Sequence, residues 1–149
     1  MPATTSYRAF LVLVQVANLL RRSGDRFFRE YGLTQSQFNV LMIARLNPDG
    51  LSQTEIAQEL VVKAANTTVL LKRLEERGLV NRRPDPNDDR TKLVRISAKG
   101  KRLVEKVEAP YRDEVERLMQ PLGKRELERF ATCLETLRVT ASELDERLS

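Results

Sequence analysis

The sequence predicts a mainly α chain with one small β-hairpin, an α+β fold whose helical core is flanked by N- and C-terminal helices. Three observations predict it. Two complete helix-start signatures fall close together near the middle of the first half, an alternating run lies beside a breaker-rich loop, and an apolar heptad repeat occupies the C-terminus. At 149 residues the chain is long enough for one domain with a real core.

Residues 6–30 carry apolar side chains at helical spacing on more than one face, among them Phe10, Leu13, Val14, Leu20, Phe27 and Phe28, so this helix is expected to be buried from two sides. Gly32 supplies its stop, because glycine accepts the left-handed C′ conformation cheaply. Thr34-Gln35-Ser36-Gln37 is a capping box with Leu33 and Phe38 as its hydrophobic staple, and opens a helix over about 34–46. The same grammar recurs at Leu51-Ser52-Gln53-Thr54-Glu55-Ile56 and opens a short helix over about 52–60. Asn47-Pro48-Asp49-Gly50 is the turn between them.

A third helix, from about Lys63, buries Thr67, Leu70, Leu71 and Leu74 along one stripe and stops at Gly78. A short helix, a tight connection and a second amphipathic helix make a helix-turn-helix. Leu79–Arg83 and Lys92–Ile96 read as strands around the loop Pro84–Arg90. A hairpin directly after a helix-turn-helix is a wing. Ser97 caps a further helix from Ala98, which is expected to break near Pro110. In the last helix, from about Lys124, Leu127, Leu134, Ala141 and Leu148 recur every seventh residue with Phe130, Leu137 and Leu144 between them. That seam predicts packing against another helix, and a dimer contact is the favoured partner over an intrachain one. The predicted organisation is an N-terminal helix of the dimerisation region (1–33), a winged helix-turn-helix (34–97) and C-terminal dimerisation helices (98–149).

Composition narrows the function. The chain has no histidine and one cysteine, which excludes Ser-His-Asp and Cys-His catalysis, an intramolecular disulfide and a His- or Cys-based metal cage. Its glycines are too scattered for a phosphate-binding fingerprint, so neither an enzyme nor a cofactor is expected. No convincing signal peptide or membrane span is present, and a cytoplasmic protein is expected. The net charge is +5, and residues 51–102 alone carry +5, against +3 before them and −3 after. A basic middle beside an acidic C-terminal third points to a polyanion at the centre of the chain.

Leu60 to Arg102 resembles the MarR family of winged-helix transcription regulators. The likeness rests on Arg73-Leu74-Glu75-Glu76-Arg77-Gly78-Leu79-Val80, Arg82-Arg83, Asp88-Asp89-Arg90-Thr91 and Ile96-Ser97-Ala98-Lys99-Gly100. The resemblance implies a homodimer on a pseudo-palindromic operator in double-stranded DNA, acting as a repressor and relieved by a small ligand.

The residues fit that expectation. Ala65, Thr68, Val69 and Lys72 face away from the buried stripe, with Asn66 and Arg73 on the flanks. Asn66 suits adenine, Thr68 a base edge or thymine methyl, and Lys63, Lys72 and Arg73 suit phosphates. The family's wing arginine corresponds to Arg90, which fits a minor groove and which Asp89 could orient through a salt bridge. Arg82, Arg83 and Lys92 flank it, while Ser52 and Gln53 offer helix N-terminal amides to a phosphate. Two positions depart from the family: Lys63 stands where a small capping residue is common, and Val69 where a basic residue is. Val69 shifts readout towards apolar contact with thymine methyls.

For a small aromatic or phenolic effector, Phe10, Phe38, Met42 and Tyr111, with Phe27, Tyr31 and Val107, are candidate cleft residues, and Arg45 is a candidate carboxylate partner. Cys133, beside the heptad seam, is expected to be a buried, inert thiol. Two other functions fit the same charge and fold: a winged-helix protein–protein module, and a non-specific architectural DNA binder.

Overall fold

In a computed structural model the chain is described at residues 4–60, 64–86 and 88–148, excluding the side chains of Ala64, Ala65 and Asp89. In chain order these residues form α1 (Thr5–Arg29), α2 (Gln35–Leu46), β1 (Leu51–Ser52), α3 (Gln53–Leu60), α4 (Ala64–Glu76), β2 (Val80–Asp85), β3 (Asp88–Ile96), α5 (Ala98–Met119) and α6 (Lys124–Leu148). The chain divides into two compact units, Met1–Glu108 and Ala109–Ser149.

The caps explain the boundaries. Thr34 Oγ1 accepts from the Gln37 amide (3.2 Å) while Gln37 Oε1 accepts from the Thr34 amide (3.0 Å), so the predicted capping box forms at the head of α2. Its staple residues, Leu33 and Phe38, are both buried. Gly32 and Gly78 end α1 and α4 with φ of 67° each, the left-handed conformation in which a side chain would be strained.

The core lies wholly in the first unit. Phe28 stacks on Phe38 with ring centroids 4.6 Å apart, and Val40, Leu41, Ala44, Ile56, Leu71, Leu74, Leu79, Val80, Val94, Val104 and Val107 close around them. The sheet is antiparallel, in the order β1-β3-β2. Sequence reading missed β1, because two residues carry no alternation; Leu51 opposite Val94 and Ser52 opposite Leu93 define it.

Two expectations fail. Pro110 does not interrupt α5, which runs through it from Ala98 to Met119. A proline removes the hydrogen bond to the carbonyl four residues back, here Lys106, and crowds that carbonyl with its ring, yet the helix continues through both. Nor is α1 buried from two sides within the chain: only Gly24 and Phe28 are buried, and Phe10 is 58% exposed. Leu11, Val14, Leu19 and Leu20 of α1 are exposed as well.

Candidate nucleic-acid interface

The helix-turn-helix is built from α3 and α4. Thr67, Leu71 and Leu74 pin α4 to the core, so the 3.6-residue period turns Asn66, Thr68, Val69, Lys72 and Arg73 outward, and all five are exposed. Val69 stands near the middle of that face, half exposed at 51%. Lys72 Nζ lies 3.9 Å from Glu76 Oε1, a long pair between exposed groups that holds the ammonium only weakly. The expectation for Lys63, and those for the side chains of Ala65 and Asp89, lie outside the described residues.

At the head of α3 the second capping box forms. Ser52 donates its amide to Glu55 Oε2 (2.7 Å) and its hydroxyl oxygen accepts from the Glu55 amide (3.3 Å). Hydrogen bonding to the Glu55 carboxylate from the Ser52 side chain first, and from the Ser52 backbone amide second, holds that carboxyl below the usual carboxylate range. The Ser52 amide is therefore committed to the cap and not offered to a phosphate as the sequence suggested. Gln53, next to it, instead reaches across to α4, donating from Nε2 to Thr68 Oγ1 at 2.6 Å.

The wing is longer than the sequence suggested, because β2 and β3 extend through the breaker-rich segment. Pro84 sits opposite Lys92, and a register irregularity follows between Pro84 and Asp85 before Asp85 meets Asp88. Proline is tolerated there because β2 is an edge strand. Asp88 organises the tip: Oδ1 accepts from the Arg90 amide (2.9 Å) and Oδ2 from the Thr91 hydroxyl (2.8 Å). These two bonds lower the Asp88 carboxyl pKa and fix the backbone on which Arg90 projects, exposed, into solvent. Arg83 and Lys92 are exposed beside it.

Arg82 is different. Its place opposite Val94, two residues after buried Val80, turns it towards the core, where its Nε lies 3.3 Å from Glu75 Oε2 at 22% exposure. It braces β2 against α4. Sequence reading also missed Arg95, whose Nε donates to the Asp49 carbonyl (2.9 Å) and ties the wing to the turn before β1.

The base of the wing is locked to the end of α4. Ser97 Oγ donates to the Gly78 carbonyl (2.7 Å) and accepts from the Gly100 amide (3.0 Å). A Cβ on Gly100 would overlap the Leu79 carbonyl oxygen, so this close crossing admits only glycine. The Ser97-x-x-Gly100 spacing is thus a geometric requirement for holding the wing beside α4.

Residues 33–92, which hold α2, α3, α4 and most of the wing, match the MarR family. The chain belongs to the MarR family. Among curated relatives, BadR, a transcriptional activatory protein of Rhodopseudomonas palustris, is 35% identical over 105 residues, 69% of this chain. The matched stretch spans 60% of BadR's own length. The crystal structure of the transcriptional regulator SlyA superposes with a TM-score of 0.85 at 26% identity, over 98% of this chain and 100% of that one. A DNA complex of MepR from S. aureus shares the fold at 23% identity with a TM-score of 0.81, over 93% of this chain and 96% of that one.

Outside the MarR-matched segment, the α6 seam is open. Phe130, Leu137 and Leu144 are exposed, Leu127 and Leu134 are half-buried, and no residue described in α6 is buried. Cys133, beside that seam, is exposed within the single chain. The candidate effector residues are dispersed in role. Phe38 is a core residue stacked on Phe28, not a cleft wall, because the staple draws it inward. Arg45 is half-buried with its Nη1 2.6 Å from Glu108 Oε2, so its carboxylate partner is supplied by α5. Phe10 is exposed on α1, Met42 is half-buried on α2, and Tyr111 belongs to the second unit.

Proposed function

We propose that this MarR-family chain is a sequence-specific DNA-binding transcription regulator, acting as a homodimer on a pseudo-palindromic operator, and not an enzyme. The observation that carries the reading is the exposure of polar and basic side chains on two elements of the winged core: the outward face of α4 with Asn66, Thr68, Val69, Lys72 and Arg73, and the wing with Arg83, Arg90 and Lys92. A helix face of this kind suits a major groove, and an arginine on a narrow hairpin suits the adjoining minor groove. The MepR–DNA complex, on the same fold, supports the assignment.

Dimerisation is supported by the uncovered apolar faces of α1 and of the α6 seam, Leu127, Phe130, Leu134, Leu137 and Leu144. Segments 1–33 and 98–149 serve that contact, and 34–97 reads DNA. The finer reading is repression in the cytoplasm, relieved by a small aromatic or phenolic ligand. No described helix is long and apolar enough to cross a membrane.

Pull-down of genomic fragments with the purified protein, followed by sequencing and footprinting, tests the proposal. One short inverted repeat, protected at moderate salt and lost steeply as salt rises, is expected. Retention without a footprint would indicate an architectural binder, and no retention at low salt would indicate a protein–protein module; either overturns it.

A further inference from the structure

The bond from Gln53 Nε2 to Thr68 Oγ1 joins the first residue of α3 to one edge of the outward face of α4. It is short, at 2.6 Å, and exposed, and it links residues 15 apart in sequence. An exposed bond between neutral side chains adds little to folding, because water competes for both partners. Its structural consequence is local and definite. A helical threonine divides its χ1 between two rotamers, one with the hydroxyl turned back to its own helix. Gln53 donates to Oγ1 and so favours the orientation in which that oxygen lies towards α3, and the same rotation directs the Thr68 methyl.

We infer that Gln53 is a positioning residue for base readout, setting the orientation in which Thr68 meets DNA, so that the heads of α3 and α4 read one base step as a unit. The inference rests on the DNA-binding function proposed above. Thr68 sits at the α3-facing edge of the exposed face, beside Val69 and Lys72, whereas Asn66 and Arg73 occupy the far flank, out of this unit. Gln53 retains a second amide hydrogen and its carbonyl oxygen for contacts of its own, since a primary amide has two donors and two acceptor lone pairs. The coupling therefore acts on the identity of the preferred base, with a smaller effect on overall attraction to DNA.

The test is a double-mutant cycle read by sequence preference. Wild type, Gln53→Ala, Thr68→Val and the double variant are each used to select from a randomised duplex pool, with thermal unfolding and binding to non-specific duplex as controls. Thr68→Val keeps the shape and removes the oxygen; Thr68→Ser keeps the oxygen and should keep its dependence on Gln53. Both single variants are expected to flatten preference at the same base pair and to weaken specific binding roughly three- to tenfold, and the double variant to lose no more than either single. Unfolding should not move, and non-specific binding should weaken less than specific binding in each variant. Additive losses, or preferences altered at different base pairs, overturn the coupling while leaving the regulator assignment intact. A wild type that selects no sequence overturns both.

Discussion

The winged core and the C-terminal helix treat apolar side chains in opposite ways. In the core, α2, α3, α4 and β3 close their apolar side chains within the chain: Val40 and Leu41 of α2, Ile56 of α3, Leu71 and Leu74 of α4 and Val94 of β3 are almost wholly buried. In α6 an equally regular heptad leaves Phe130, Leu137 and Leu144 open, with no buried residue described in the helix. Periodicity thus marks a face that needs cover and is silent about which chain supplies it. The polar groups divide likewise. In the core they knit distant segments together, as Ser97 does between Gly78 and Gly100, whereas α6 carries bonds within a single turn, such as Arg138 to Glu135 and Thr136 to the Thr132 carbonyl.

Four changes break or sharpen that contrast. The largest effect on folding is expected at the crossing of α5 over Leu79. Gly100→Ala should cost about 3 kcal/mol by overpacking against backbone, seen as a lowered midpoint in denaturant. On the open side, Leu137→Glu should leave core unfolding unchanged while weakening self-association by ~30-fold or more, measured by sedimentation equilibrium. A destabilised core with unchanged association would show that the seam packs within the chain. Ser52→Ala removes the α3 cap and should cost about 1 kcal/mol.

The smallest effect is pH-dependent and belongs to the wing. The Asp88 pKa is lowered by bonds that exist only in the folded tip, so its contribution is fully present above the ordinary aspartate range and is lost as pH falls through the lowered value. Amide exchange at Arg90 should accordingly accelerate only in strong acid, and at all pH values in Asp88→Asn or Asp88→Ala. Protection unchanged in Asp88→Ala would show that the hairpin holds its tip by other means.

Much of this architecture is legible in residue order because its causes are local. Capping boxes at Thr34 and Ser52, stops at Gly32 and Gly78 and the stripe on α4 each depend on neighbours within a turn or two. What escaped depends on distant partners. β1 exists only because β3 arrives beside it, Arg95 because the Asp49 carbonyl does, and the close crossing at Gly100 because Leu79 lies beneath it. Arg82 was legible in principle: counting by two from Val80 places it on the inward face, but a run of two arginines in a basic segment masks the alternation. The capped Ser52 amide shows a second limit. The same capping box that marks a helix start also occupies the donor expected to face a phosphate.

The central claim is that α4 and the wing form one DNA-reading surface, with Arg90 at its second point of contact. It is tested most directly by measuring affinity against salt concentration for wild type and Arg90→Ala on a duplex selected by the wild type. A loss of about tenfold or more in Arg90→Ala, with a salt slope shallower by about one and unchanged thermal unfolding, is the predicted result. Equal affinity and equal slope for the two proteins would contradict it.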